Sequence, residues 1–162
     1  MSTWQSGASG VLDLPSGRGS PGCVIEDFLP QFRVYTSMYP TFGRHLWLAA
    51  FSGLPGRLNR GSKETIDDNR TVACRVTPKI EGLSCDEYPF ASTTQGAASN
   101  PLLARSFDGY NFDSLPRSTG PNGFSVCMID KDENSSAGSS LAAFYTSCRI
   151  IVGDEFGIFL GQ

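Results

Sequence analysis

A proline standing directly behind Asp86, Glu87 and Tyr88 places the strongest single constraint on how this chain can fold. The Pro89 ring pushes Tyr88 into an extended conformation and removes one ladder donor, which suits the end or the edge of a strand. Tyr88, Phe90 and Ala91 supply the aromatic and apolar content of a buried strand, so residues 84–93 read as the organising segment. On an extended backbone neighbouring side chains point to opposite faces. Asp86 and Glu87 therefore cannot both face one ligand unless the backbone bulges. The plain account is a solvated acidic pair leading into a buried strand; the chemical account is a pair of carboxylates at a site.

The rest of the chain offers elements of both kinds. Pro40 in a first turn, Phe42, Leu46, Ala49 and Ala50 at helical spacing, and Gly53 with Pro55 as stops predict a helix after Tyr39. His45, the only histidine, reads as a partly buried residue on its flank rather than a catalytic group. Residues 24–35 can supply one or two short strands, and 57–69 read as a polar loop or short helix. Residues 95–122 read as a long insertion whose Phe107, Tyr110 and Phe112 either stack on bases or, the plainer account, anchor the loop to the core. Gly123–Met128 alternates as a strand. Asn134–Gly138 reads as a turn, with Ser139 capping a helix through Tyr145. Ile150–Val152 and Phe156–Leu160 read as two closing strands.

With 162 residues, 18 Gly, 10 Pro and no long periodic runs, one loop-rich α+β domain is expected over residues 23–162. Residues 1–22, rich in Gly, Ser and Pro, form a flexible arm in this reading. The start lacks the basic and apolar regions of a signal peptide, and no stretch has the length of a membrane span. Five cysteines without C-x-x-C spacing, with His45 the only histidine, argue against zinc and for an oxidising, extracellular or periplasmic setting with two disulfides and one leftover thiol. Pro78 and Gly82 favour a turn that pairs Cys74 with Cys85; Cys23, Cys127 and Cys148 are left to supply a second disulfide, in an order the sequence does not rank. Asn69-Arg70-Thr71 and Asn134-Ser135-Ser136 match glycosylation acceptors. A net charge of −3 argues against a broad basic surface for tight, sequence-independent DNA binding. Arg44, Arg57, Arg60, Lys63, Arg70 and Arg75 nevertheless concentrate in one portion of the chain.

Cys85-Asp86-Glu87-Tyr88-Pro89-Phe90-Ala91-Ser92-Thr93 resembles the signature of the NucA/NucB-type deoxyribonucleases. Asp67 to Cys74, Asn134 to Ser139 and Gly153 to Phe156 resemble further family segments in the same order, so the resemblance spans Tyr39 to Leu160. It implies a ββα-metal-like core of antiparallel strands plus a helix, with an N-terminal helix and long loops. It also implies a secreted, sequence-independent DNA endonuclease using one Mg²⁺ or Mn²⁺ ion. The family occurs as well as the toxic domain of larger secreted proteins, which brings in an immunity or inhibitor protein as a partner. Asp86 takes the role of general base that histidine fills in related nucleases, with Glu87 as the second catalytic acid, facing the other way toward an arginine such as Arg70. Asn134 and Gln95 are the implied cation ligands, and Arg70 and Ser139 the substrate contacts. Three departures stand out: Gln95-Gly96-Ala97 where many members have Glu-Gly-Gly, Phe144-Tyr145 where some have His-Gln, and the long 100–122 insertion. They keep open the rival reading of a catalytically silent, disulfide-stapled binding module.

Overall fold

The computed structural model describes residues 29–75 and 77–162, together with the backbone of 12–13 and 22–23. In chain order the elements are β1 (Leu12–Asp13), β2 (Gly22–Cys23), β3 (Gln31–Tyr35), α1 (Pro40–Phe51), β4 (Arg57–Asn59), α2 (Lys63–Ala73), β5 (Leu83–Tyr88), β6 (Ala104–Arg105), β7 (Phe124–Asp130), α3 (Lys131–Ser147) and β8 (Glu155–Gly161). β1 pairs with β2; otherwise the arm expected over 1–22 lies outside the described residues. β8 lies between β3, parallel to it, and β4, antiparallel. A second sheet runs β5-β7-β6, with β5 antiparallel to β7 and β6 parallel. Three long helices with two small mixed sheets make an α+β domain. No helix among the described residues is long and apolar enough to cross a membrane.

β5 pairs on one side only, an edge position compatible with the proline behind it, and its alternation sorts its side chains. Tyr88 joins Cys127, Ile129 and the residues of α1 and α3 in the main core, while Cys85 packs with Phe124, Val126 and Met128 in a second core beside α2. The stripe that buries α1 is Phe42, His45, Leu46 and Ala49. Tyr39 gives this helix no side-chain cap. Glu133 of α3 does so instead: its Oε2 accepts the amides of Thr41 and Phe42, each at 2.7 Å, and the Thr41 hydroxyl. A carboxylate there satisfies otherwise unpaired amides and complements the helix dipole, which fastens α3 to α1.

Several expectations change. α3 begins at Lys131, not after a turn at 134–138, because Asp130 caps it by accepting from the amides of Asp132 (3.0 Å) and Glu133 (2.9 Å). Ala137, Leu141 and Tyr145, four apart, then bury one helix face, and Ser139 is an exposed mid-helix residue. The polar run after residue 57 forms β4 and a helix of 11 residues, α2, opened by a Ser62–Thr65 capping box. Ile150–Val152 is a turn in which the Asp154 carboxylate accepts from the Ile151 amide at 2.8 Å. In the 95–122 segment Tyr110 and Phe112 are buried anchors. Arg105, 2% exposed, ties that segment down through Ser52 O (3.1 Å) and the carbonyls of Gly120 and Asn122.

Candidate active site

The disulfide Cys74–Cys85 joins the end of α2 to β5, as the turn residues between them suggested. Cys127, in the core, and Cys148, exposed, are free thiols, so the second pair does not form between these two; the side chain of Cys23 lies outside the described residues. Asn69 is a bolt rather than a glycan acceptor. Buried at 1% exposure, it donates to Ala91 O (2.8 Å) and Thr93 O (2.9 Å) and accepts from the Ala98 amide (2.8 Å). Its side chain fills the space a Cβ would need at Gly96, so only glycine fits there. Through Asn69 and the disulfide, α2 is held at a set position against the segment that follows the acidic pair.

Between α2 and α3, along β5, lies a cleft of about 570 Å³. Asp86 and Glu87 both line it, joined by Asn134 from α3 and by Arg60, Lys63 and Arg70 around α2. The backbone does not have to bulge to bring the two acids together. Their side chains leave on opposite faces of β5, Asp86 toward α1 and Glu87 toward the disulfide, and the unpaired side of the strand admits both to one cleft.

Asp86 is fixed by a residue the sequence reading set aside. Its Oδ2 lies 2.6 Å from Nδ1 of His45, which is fully buried, and Nε2 of His45 lies 2.8 Å from the Ser125 hydroxyl. Burial alone would push the imidazole pKa down; Cys127 and the Asp86 carboxylate beside it outweigh burial and raise it to about 10, and the direct ion pair with Asp86 sets that direction. Asp86 Oδ1 has no partner among the described residues and is left to the cleft. The missed signal was in the sequence: positions 42, 45, 46 and 49 are the i, i+3, i+4, i+7 stripe of an amphipathic helix, with His45 inside it.

Glu87 is 9% exposed and receives no side-chain nitrogen or hydroxyl donor among the described residues. Cys74 Sγ lies 3.7 Å from its Oε2, a disulfide sulfur with no proton to give and no thiolate to offer a cation. Burial, then the adjacent Asp86 charge, raises its pKa to about 7, against the opposing pull of Arg70 and His45. Asn134 donates its amide to Ser84 Oγ (2.9 Å) and to the Cys85 carbonyl (3.0 Å). A carbonyl can only accept, so this fixes which end of the amide is nitrogen and leaves Asn134 Oδ1 unpartnered among the described residues.

Over residues 57–159, more than half of the chain, the sequence matches the family model described as Deoxyribonuclease NucA/NucB. The chain belongs to the deoxyribonuclease NucA/NucB family. No curated protein matches it.

Within this deoxyribonuclease domain the other candidates part company. Gln95 does not line the cleft: its Oε1 accepts from the Asn59 amide (3.0 Å) and its Nε2 donates to Asn59 Oδ1 (2.8 Å), so both ends of the side chain brace β4. Ser139 faces away and donates to the Ser135 carbonyl at 3.0 Å. Arg70 does reach the cleft rim. Of the basic cluster, Arg44 lies over the Tyr110 ring (6.0 Å) and Arg57 near Glu155 (3.7 Å). Arg60 lines the cleft with its guanidinium over the Tyr145 ring (4.7 Å) and bonded to the Ile150 carbonyl. A chain acidic overall thus lines one cleft with three basic residues, of which Lys63 holds its ammonium 3.0 Å from the Asp67 carboxylate.

Proposed function

We propose that this deoxyribonuclease hydrolyses DNA phosphodiesters without sequence preference and with one divalent cation, Mg²⁺ or Mn²⁺, in the cleft beside β5. The observation that carries the reading is the convergence of Asp86, Glu87 and the free Asn134 oxygen under a rim of Arg60, Lys63 and Arg70. The donor set fits such an ion: two hard oxygens, one a carboxylate crowded by another carboxylate, in a cleft open to the waters these cations retain. Glu87 and Asn134 would hold it. When bound, the cation offsets the charge that develops on the phosphate and makes the attacking water more acidic.

The chain's own groups supply the remaining work. Arg60, Lys63 and Arg70 draw the backbone phosphate into the cleft and fix its position without reading bases. Asp86 presents Oδ1, its unpartnered carboxylate oxygen, as the acceptor of the proton from attacking water. The ββα-metal reading draws support from chain order: β5 and β7 are antiparallel, and α3, which carries Asn134, follows β7 directly. The Cys74–Cys85 disulfide supports a secreted protein, since such bonds persist in oxidising compartments.

Plasmid cleavage with Mg²⁺, with Mn²⁺ and with EDTA tests the reading, alongside Asp86→Asn. Cation-dependent nicking that falls by about two to four orders of magnitude in the variant is expected. Cleavage undiminished in EDTA overturns the cation, and near-normal cleavage by Asp86→Asn overturns the base. No cleavage under any condition favours a silent binding module.

A further inference from the structure

Behind Asp86 lies a run of buried polar groups that the hydrolysis above does not use directly. His45 Nδ1 meets Asp86 Oδ2 at 2.6 Å, His45 Nε2 meets Ser125 Oγ at 2.8 Å, and Ser125 Oγ lies 3.4 Å from the Tyr88 carbonyl. The Tyr88 carbonyl can only accept, so the Ser125 hydroxyl donates to it and turns a lone pair toward Nε2. Both ring nitrogens then donate. The order Ser-His-Asp looks like a nucleophilic triad, but Ser125 and His45 are both at 0% exposure and Ser125 cannot meet a substrate. The direction of action is therefore outward, from Ser125 through His45 to Asp86, which alone of the three lines the cleft.

A buried polar network of this kind is costly unless every member is satisfied. A carboxylate held by a single short contact at one oxygen has its other oxygen fixed in direction, the pre-organisation that proton transfer in a site demands. We propose that His45 is a positioning residue for DNA cleavage, which holds Asp86 by Oδ2 so that Oδ1 faces the attacking water. Ser125 and the Tyr88 carbonyl set the orientation of the ring. The inference rests on the reading of Asp86 as the base. It also explains a histidine inside the apolar stripe of α1, where Leu or Ala would pack without the cost of burying a polar ring.

Two amide substitutions separate the two ring nitrogens. The side-chain nitrogen of Asn falls near the place of Nδ1, and that of Gln near the place of Nε2. His45→Asn keeps a donor to Asp86, whereas His45→Gln keeps only the Ser125 contact. Steady-state cleavage of a short duplex with saturating Mn²⁺ is measured for both, in the wild-type and in the Asp86→Asn background, with thermal melts alongside. The expected result is a loss in kcat of about 100-fold for His45→Gln, only several-fold for His45→Asn, and unchanged KM for both. On Asp86→Asn the His45 substitutions cost nothing further, because groups that act as a unit are non-additive. If His45→Gln does not fold, the cycle is run with His45→Asn, whose smaller loss must vanish on Asp86→Asn. Wild-type kcat in His45→Gln overturns the proposal while leaving the base intact. Equal losses in the two amide variants, or losses that multiply undiminished on Asp86→Asn, reduce His45 to a packing residue and overturn it too. If Asp86→Asn itself cleaves normally, the reading of the base fails and the positioning role falls with it.

Discussion

Replacing Glu87 by Gln should make this protein more stable at alkaline pH while it removes activity. The carboxyl is buried, has no side-chain donor, and sits beside Asp86, so its pKa rises from 4.5 to about 7. Between those values the folded protein holds a proton that the unfolded chain has released, so stability falls as pH rises through this window. A shift of that size corresponds to about 3 kcal/mol at pH values above 7. The neutral amide of Gln carries no such dependence. In a domain of this length 3 kcal/mol amounts to roughly 6–12 °C in melting temperature. The assay is thermal unfolding of both proteins in EDTA at pH 4.5 and pH 8.5. The variant should melt well above wild type at pH 8.5, and the gap should nearly close at pH 4.5. Added Mn²⁺ should raise the wild type and leave the variant little changed, because only the carboxylate gains by the ion. A variant that melts at or below wild type at pH 8.5, or a gap of equal size at both pH values, refutes the argument that Glu87 is held at an energetic cost.

Asn134→Ala should lower cleavage in a way that raised Mg²⁺ or Mn²⁺ partly restores, with the melting temperature little altered; an activity loss indifferent to cation concentration counts against the ligand role. Replacing both Cys74 and Cys85 by Ser should cost about 3 kcal/mol, given a sequence separation of 11, and unchanged melting under non-reducing conditions would remove the bond from the account. The His45–Asp86 pair has its own pH window. The folded imidazole titrates near 10 against 6.5 for the free group, so its contribution is complete below about 6.5 and is lost as pH rises toward 10. Wild type should therefore lose melting temperature from pH 7 to pH 10 more steeply than His45→Asn, and parallel curves would contradict it.

The strand that carries the acidic pair was legible because proline and aromatics leave few alternatives, and α1 was legible from its apolar spacing. The same spacing contains His45: a polar residue one place from Leu46 reads as flank, whereas its offset of three from Phe42 puts it in the core. The polar stretch of α2 reads as a loop or short helix because, beyond its local Ser62 cap, the bonds of Asn69 to Ala91, Thr93 and Ala98 that settle it join residues far apart in sequence. At α3 the turn-forming look of Asn134 to Gly138 concealed a helix already begun by Asp130, whose cap is local but lies four residues earlier. The family pattern puts Gln95 among the ligands, whereas its role depends on Asn59, a partner 36 residues away. Local chemistry announced the motif strand and the apolar face of α1; long-range hydrogen bonds decided which polar residues were free to act.

β3 and α1 have a consequence for what counts as the inherited unit. The family match begins at residue 57, after both elements. Yet β3 pairs along β8 from Gln31–Gly157 to Tyr35–Gly161, and α1 alone supplies the imidazole behind Asp86. A fragment cut to 57–159 would expose the open edge of β8 and leave a buried carboxylate without its counter-charge. The recognisable portion of this nuclease is therefore not its smallest autonomous part. Recombination that transplants only the recognisable portion would carry the acids across without the scaffold that makes one of them useful.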